Sequence, residues 1–511
     1  MSLRRNALVL AGLTLLALWP GAPRRAAADA DDPDGHAAKA TAHIIAHEYD
    51  EARAELDRGD PDRLAIVLAK ARLAIYEEEC DLAVATLGRA DAAKDDDGRA
   101  LAEIARGCAR VTAATVVERR DAEQVVIRYQ DDADRALTPL LAETAAAARK
   151  QLTADLGVEW RGPTRITVVR DLLSLSAMTG LPYKAAQTTG TVAVAKWGRV
   201  TILSPRASTH GYAYLDTLAH ELTHLAISQH SREGAPLWLH EGLAKREEVR
   251  WRPPGPFDAK PDPDAIVARG RELHLDIPLD KLGPSIAMLP SADAAMVAFA
   301  EVTSFVRLLA ETSGPDVIGK LLVALRTAPS AGEALRAVTG QDLTGWDAKW
   351  RADLAKKPSA PLPALFGLGP PPQGMADARD RHRLAELLVG RSHAKEALLE
   401  LAKVPRDHFL DPSLRYVEAR AHEAAGAPAE AAAAIGEPTE WLTGFGPCWA
   451  VQGRLSAASD PKKSASAFAE ARAHAPFSFE AACESRPGTP PTTRSALCEA
   501  ATARDEPDVG R

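Results

Sequence analysis

The sequence predicts an α+β protein: a small sheet with a helical subdomain in the middle of the chain, flanked by mainly helical regions. Three observations carry that prediction. Ala-rich segments such as AETAAAARK and APAEAAAAI cost little side-chain entropy in a helix, so helix should exceed strand. Apolar residues recur at three and four spacing through both ends of the chain. Runs of β-branched residues, by contrast, cluster between Glu123 and Pro205. At 511 residues, 46% hydrophobic and 26% charged, the chain suits several folded domains and neither a single core nor a disordered segment.

Residues 1–28 read as an export signal. Arg4 and Arg5 form a basic start, Ala7 to Trp19 an apolar stretch, and Ala26, Ala27 and Ala28 a small-residue cleavage site before Asp29. The apolar stretch falls short of the roughly 20 residues a spanning helix needs, so no stable membrane span is expected after cleavage. No cysteine follows it to take a lipid. The mature protein is therefore expected to be secreted or periplasmic. Four arginines leave with the signal, taking the formal charge from −8 to near −12. With no basic stripe interleaved with aromatics, this excludes a nucleic-acid binder. The five cysteines lie outside any CxxC spacing and read as structural disulfides or buried thiols, with one left over.

Residues 29–118 predict helical hairpins after a short acidic start, loosely like tetratricopeptide repeats but without a clean period. Residues 119–358 form the α+β unit. A strand at Glu123–Tyr129 precedes an Ala-rich helix from about Asp134 to Leu156. Strands follow at Thr164–Arg170, Gly190–Lys196 and Arg199–Pro205, the last two around a turn at Trp197-Gly198. After a helix near Tyr214 and a Pro-rich loop at 251–267 come helices near Ala292–Thr312, Asp316–Thr327 and Ala331–Val338. DLTGWDAKWRADLAKK closes the unit. Residues 359–375 read as a Pro/Gly-rich linker and 376–484 as a repeat-like helical domain suited to a protein partner. A flexible tail is expected over 485–511, apart from a possible disulfide tether.

The chemistry is concentrated in YLDTLAHELTHLAISQHSREGAPLWLHEGLAKREE, Tyr214 to Glu248. His220 and His224 are four apart, so on a helix both imidazoles leave one face and reach one ion. Glu221 lies about 100° round the axis, where it faces a water beside that ion. Leu215, Leu218, Leu222 and Leu225 supply a buried side that fixes the helix. WLHEGLA begins fourteen residues after His224. Pro236 starts a helix there, Trp238, Leu239 and Leu243 anchor it, and Glu241 returns to the ion as a third ligand. Two imidazoles and a carboxylate leave a fourth tetrahedral position for water, which is the donor set of a catalytic Zn²⁺. His240 is the alternative ligand to Glu241, but as its helical neighbour it points about 100° away and is placed behind the ligands or at the surface. His230 has no assignable role.

HELTH and PLWLHEGLA resemble the gluzincin superfamily of metallopeptidases, in particular the peptidase MA-like domains of exported bacterial proteins. The resemblance covers about Tyr129 to Pro358. It implies a thermolysin-like zincin fold, His220, His224 and Glu241 as ligands to one zinc, and Glu221 as general base. It also implies an edge strand, Gly190–Lys196 or Arg199–Leu203, that holds a peptide in an extended pose. There are departures. The acid often found four residues beyond the third ligand is Lys245 here. Asp216, one turn before His220, is the alternative carboxylate behind a histidine, with helix capping as its rival role. The tyrosine of a Tyr-Ala-x-x-x-Ser-Phe-Val pattern is Phe299, which donates no hydrogen bond. Tyr212, Tyr214, His210 and His274 remain as spare oxyanion donors.

The expected function is zinc-dependent hydrolysis of peptide bonds in a peptide or protein substrate. The second reading keeps zinc and fold but makes the protein a weak or inactive peptidase that acts as a binding or assembly factor through its helical flanks.

Overall fold

The computed structural model describes residues 35–502, apart from 90, 209–210, 256–257, 259, most of 358–372, 407–411, 442–444 and 485–495. The expected export signal and most of the expected linker lie outside the described residues.

The β-branched runs form one five-stranded sheet: β1 (Val116–Arg120), β2 (Val125–Tyr129), β3 (Thr164–Val169), β4 (Ala193–Lys196) and β5 (Arg199–Leu203). Their order is β1-β2-β3-β5-β4. The outer pairs β1–β2 and β4–β5 are antiparallel and the two inner pairs parallel. Every residue of β5 is buried, which requires cover on both faces. Val200 and Ile202 enter the main core on one face, and Leu203 packs with Val111, Leu175 and Met178 on the other. At the β4–β5 turn Trp197 and Gly198 have φ 57° and 70°. Positive φ at both central positions is the type I′ pattern, whose twist matches the strands it joins.

Two strands differ from the sequence expectation. β1 was not foreseen: its burial pattern is exposed-exposed-intermediate-exposed-intermediate, so VVERR shows no apolar alternation. β4 begins at Ala193 and not at Gly190, because Tyr183–Thr189 forms a helix that Gly190 ends at φ 72°.

The N-terminal helices α1 (His36–Ile45), α2 (Tyr49–Arg58), α3 (Leu64–Tyr76), α4 (Cys80–Thr86) and α5 (Asp96–Thr112) lie against the sheet. Arg199 of β5 is fully buried and donates to the Ile75 carbonyl at 2.5 Å, while Thr167 of β3 donates to Glu78 at 2.8 Å. The opposite face carries α6 (Thr138–Leu156). Two short helices, α7 (Leu172–Thr179) and α8 (Tyr183–Thr189), connect β3 to β4.

Beyond the sheet come α9 (Tyr214–Ser231), α10 (Leu237–Glu247), α11 (Pro263–Glu272), α12 (Ala292–Ser313), α13 (Val317–Leu325), α14 (Ala331–Thr339) and α15 (Leu343–Leu354). One continuous core joins the sheet and α6 to α9, α10, α12 and α13. The C-terminal helices are α16 (Met375–Gly390), α17 (Ala394–Leu401), α18 (Pro412–Ala424), α19 (Pro428–Trp441), α20 (Gly446–Ser456), α21 (Pro461–His474), α22 (Phe479–Cys483) and α23 (Ala496–Thr502). Each packs against the next in the chain.

The stretch 485–511, expected as a flexible tail, carries α23, which Cys498 ties to Cys483 of α22. A second disulfide joins Cys80 to Cys108, and Cys448 is a buried free thiol. No helix among the described residues is long and apolar enough to cross a membrane.

Candidate active site

The apolar face of α9 fixes the centre of the site. Leu218, Leu222 and Ala226 are sealed in the core, so the residues opposite them are held facing outward. α9 stops at Arg232, which takes a left-handed φ of 53°, and Pro236 then starts α10. α10 presses on α12 through Gly242, where a Cβ would lie 2.6 Å from the Val302 carbonyl and 2.4 Å from a Val306 methyl. That close approach, together with the Trp238–Phe305 ring contact at 5.1 Å, orients Glu241 toward α9.

Three atoms converge there. His220 Nε2 and His224 Nε2 are 3.2 Å apart, and Glu241 Oε2 lies 3.6 Å from the first and 3.5 Å from the second. A tetrahedral Zn²⁺ with ligands at 2.0–2.1 Å puts its ligand atoms about 3.3–3.4 Å from one another. The triangle is metal-sized, and two imidazoles with one carboxylate are donors zinc accepts. A looser group, His220, Glu221 and His224, also keeps its donor atoms within 4.8 Å of one another. The tighter set with Glu241 fits an ion, whereas Glu221 lies beside it.

The outer nitrogens of the imidazoles are engaged as well. His220 Nδ1 donates to Glu248 Oε2 at 3.1 Å, and Lys245 pairs with the other Glu248 oxygen. His224 Nδ1 lies 3.4 Å from His240 Nδ1. Burial, then the neighbouring His224, pushes the His240 pKa down to about 3. A neutral His240 accepts at Nδ1, which leaves His224 Nδ1 the donor and His224 Nε2 a free lone pair for a metal. Without a metal, burial opposes charge on His220, but Glu241 and Glu248 outweigh it and raise its pKa to about 10. The same contacts hold Glu241 well below the usual carboxylate range against its burial, with His224 ahead of His220. Glu221 is 6% exposed, and burial raises its pKa, partly offset by His224 and His220 and by the Ala195 amide of β4.

These residues lie in a cleft of about 1510 Å³. β4 forms one wall, the Pro-rich loop and the segment Gly283–Met288 another, and Phe299 stands with its ring centroid 6.2 Å from that of His220. Of the two strands expected at the edge of the sheet, β4 is the edge and β5 is internal.

Several expectations are corrected. Asp216 neither backs a histidine nor caps α9. Arg252 grips both its oxygens at 3.0 and 2.8 Å, and Trp251 Nε1 donates to it at 2.9 Å. Glu248, two turns after Glu241, holds the position proposed for it. Tyr212 spends its hydroxyl on the Leu203 carbonyl, the partner a buried phenol requires, and Tyr214 is sealed in the core at 1% exposure. Neither lines the cleft. His274 is exposed past the end of α11 and does not line it either. His210 lies outside the described residues. The sequence reading missed Glu248, visible only by counting seven residues from Glu241, and His474 of α21, which lines the cleft from more than 200 residues away.

Comparison with curated proteins and with solved structures gave no match. The sequence model of the Peptidase MA superfamily matches residues 144–356, the stretch that runs from α6 through the three-atom triangle to α15. The chain therefore carries, over residues 144–356, a domain of the peptidase MA superfamily.

Proposed function

We propose that this chain is an exported zinc metallopeptidase, with His220, His224 and Glu241 as ligands and Glu221 as general base. The observation that carries this is the metal-sized triangle of 3.2, 3.5 and 3.6 Å, with Glu221 buried beside it. Bound there, Zn²⁺ supplies a Lewis acid that lowers the pKa of water and polarises the scissile carbonyl. Glu221 takes a proton from the attacking water and passes it to the departing amine. Glu248 and His240 hold the imidazole rings in register through their Nδ1 atoms.

The cleft is larger than the roughly 300–1,000 Å³ of small-molecule sites, and β4, at the edge of the sheet, runs along one wall of it. Both features suit an extended peptide. The two disulfides support an oxidising, extracytoplasmic location, in keeping with the export signal read at residues 1–28. A burial cost is paid for keeping Glu221 in the site, and a purely structural zinc has no use for it, which favours catalysis over a binding-only role.

The test is hydrolysis of a mixed library of unstructured peptides, with bound metal measured in parallel. Wild type is expected to carry one zinc and cut the library. Glu221→Gln is expected to keep the zinc and lose about 10²–10⁴-fold in rate. Equal rates for the two proteins would contradict the assignment.

A further inference from the structure

The last turn of α21 is built into the cleft. Tyr212 N, two residues before α9, donates to the His474 carbonyl at 2.8 Å. Gly211 has φ 72°, and a Cβ there would stand 1.7 Å from that carbonyl oxygen, so only glycine admits the approach. Three residues past His474, Phe477 is 6% exposed within the main core, with the Arg206 guanidinium 5.6 Å from its ring centroid. This seam is too closely fitted to be a passing contact between a domain and a loose appendage.

Along the seam Ala469, Glu470, Ala473 and His474 line the same cleft as His220, Glu221 and His224. His474 is 5% exposed, and its Nδ1 lies 2.8 Å from the Glu470 carbonyl. A carbonyl only accepts, so Nδ1 carries the proton and Nε2 keeps its lone pair. Burial holds the ring neutral, against the smaller pull of the Glu470 carbonyl and carboxylate. The charged neighbours Asp216 and Arg252 are committed to each other. Nε2 has no partner among the described residues. An acceptor on a largely buried side chain that lines a cleft is costly unless a ligand or water satisfies it.

We propose that His474 is a substrate-positioning residue whose Nε2 accepts a main-chain N–H of the bound peptide, so that the C-terminal helices complete the peptide site. The inference rests on the peptidase reading of the cleft, and binding and turnover are measured apart so that the two ideas fail separately.

Affinity is measured by fluorescence anisotropy of fluorescein-labelled unstructured decapeptides on the zinc-loaded Glu221→Gln protein, and turnover of the same peptides with Glu221 intact. His474→Ala is expected to raise Kd and KM about 5–30-fold, the loss of one hydrogen bond to a buried acceptor, with kcat within about twofold. His474→Gln, whose amide oxygen reaches the Nε2 position, is expected to recover most of the affinity. Unchanged Kd and KM in His474→Ala would overturn the positioning role and leave the peptidase reading standing. Peptides that bind but are not cut when Glu221 is intact would overturn the peptidase reading, and the Kd comparison still decides on His474. No binding of any peptide would overturn both. Should His474→Ala fail to fold, Ala469→Trp decides. It places bulk in the cleft from an exposed helical position and is expected to raise the decapeptide Kd at least about fivefold, and an unchanged Kd would overturn the proposal.

Discussion

The rings of His220 and His224 are each held at two nitrogens, and the outer contacts govern how tightly a metal would sit. Glu248 accepts from His220, and His240 accepts from His224. Outer partners of this kind are worth about 10–100-fold in metal affinity, so Glu248→Gln is expected to weaken zinc binding by that factor in a chelator competition titration. Asp216→Asn is expected to leave zinc affinity unchanged, since Arg252 and Trp251 occupy that carboxylate. The reverse order would contradict the assignment. At this scale the pairing of His220 with His224 was legible because helical spacing of four places two imidazoles on one face, a local rule. Glu248 was missed and Asp216 misjudged for a non-local reason: Glu248 reaches His220 from 28 residues away. Arg252 reaches Asp216 from 36 residues away, at the start of the Pro-rich loop, and no spacing within α9 discloses that contact.

Among the elements, α10 is the one whose position matters most, because it carries Glu241. Its seat on α12 depends on Gly242, which leaves no room for a methyl group against Val302 and Val306. Gly242→Ala is expected to cost about 1–3 kcal/mol in a denaturant titration and to weaken zinc binding as Glu241 is displaced. Unchanged stability and zinc affinity would show that the close packing does not position the ligand. The helices of this region were legible from apolar periodicity: the one expected at Ala292–Thr312 is observed at Ala292–Ser313. β1 was not legible because Val116 and Val117 are 39% and 40% exposed, so an edge strand presents no apolar face to read. The turn at Trp197-Gly198 was placed correctly, but its type emerged only from the two positive φ angles.

For the whole molecule, composition and periodicity suggested helical flanks apart from the α+β unit, and the contacts show flanks packed into that unit. The N-terminal helices bury Trp197 of the sheet turn in their own cluster and receive Arg199 from β5. The C-terminal region sends Phe477 into the main core and packs Leu497 of α23 against it. Such contacts join residues far apart in the chain, so they leave no trace in local pattern. Phe477→Ala is expected to lower stability by about 3–5 kcal/mol and to shift the calorimetric transition of the domain that holds the sheet and α9. A separate C-terminal transition that moves alone would show that the helices fold independently of the cleft they line.

The central claim is that His220, His224 and Glu241 form one zinc centre. Anomalous scattering at the zinc edge from crystals of the zinc-loaded protein tests it most directly. The expected result is a single peak with both histidine Nε2 atoms and a Glu241 oxygen at about 2.0–2.2 Å, and Glu221 outside bonding distance. No peak at the triangle, or a peak bonded to Glu221 in place of Glu241, would contradict the account.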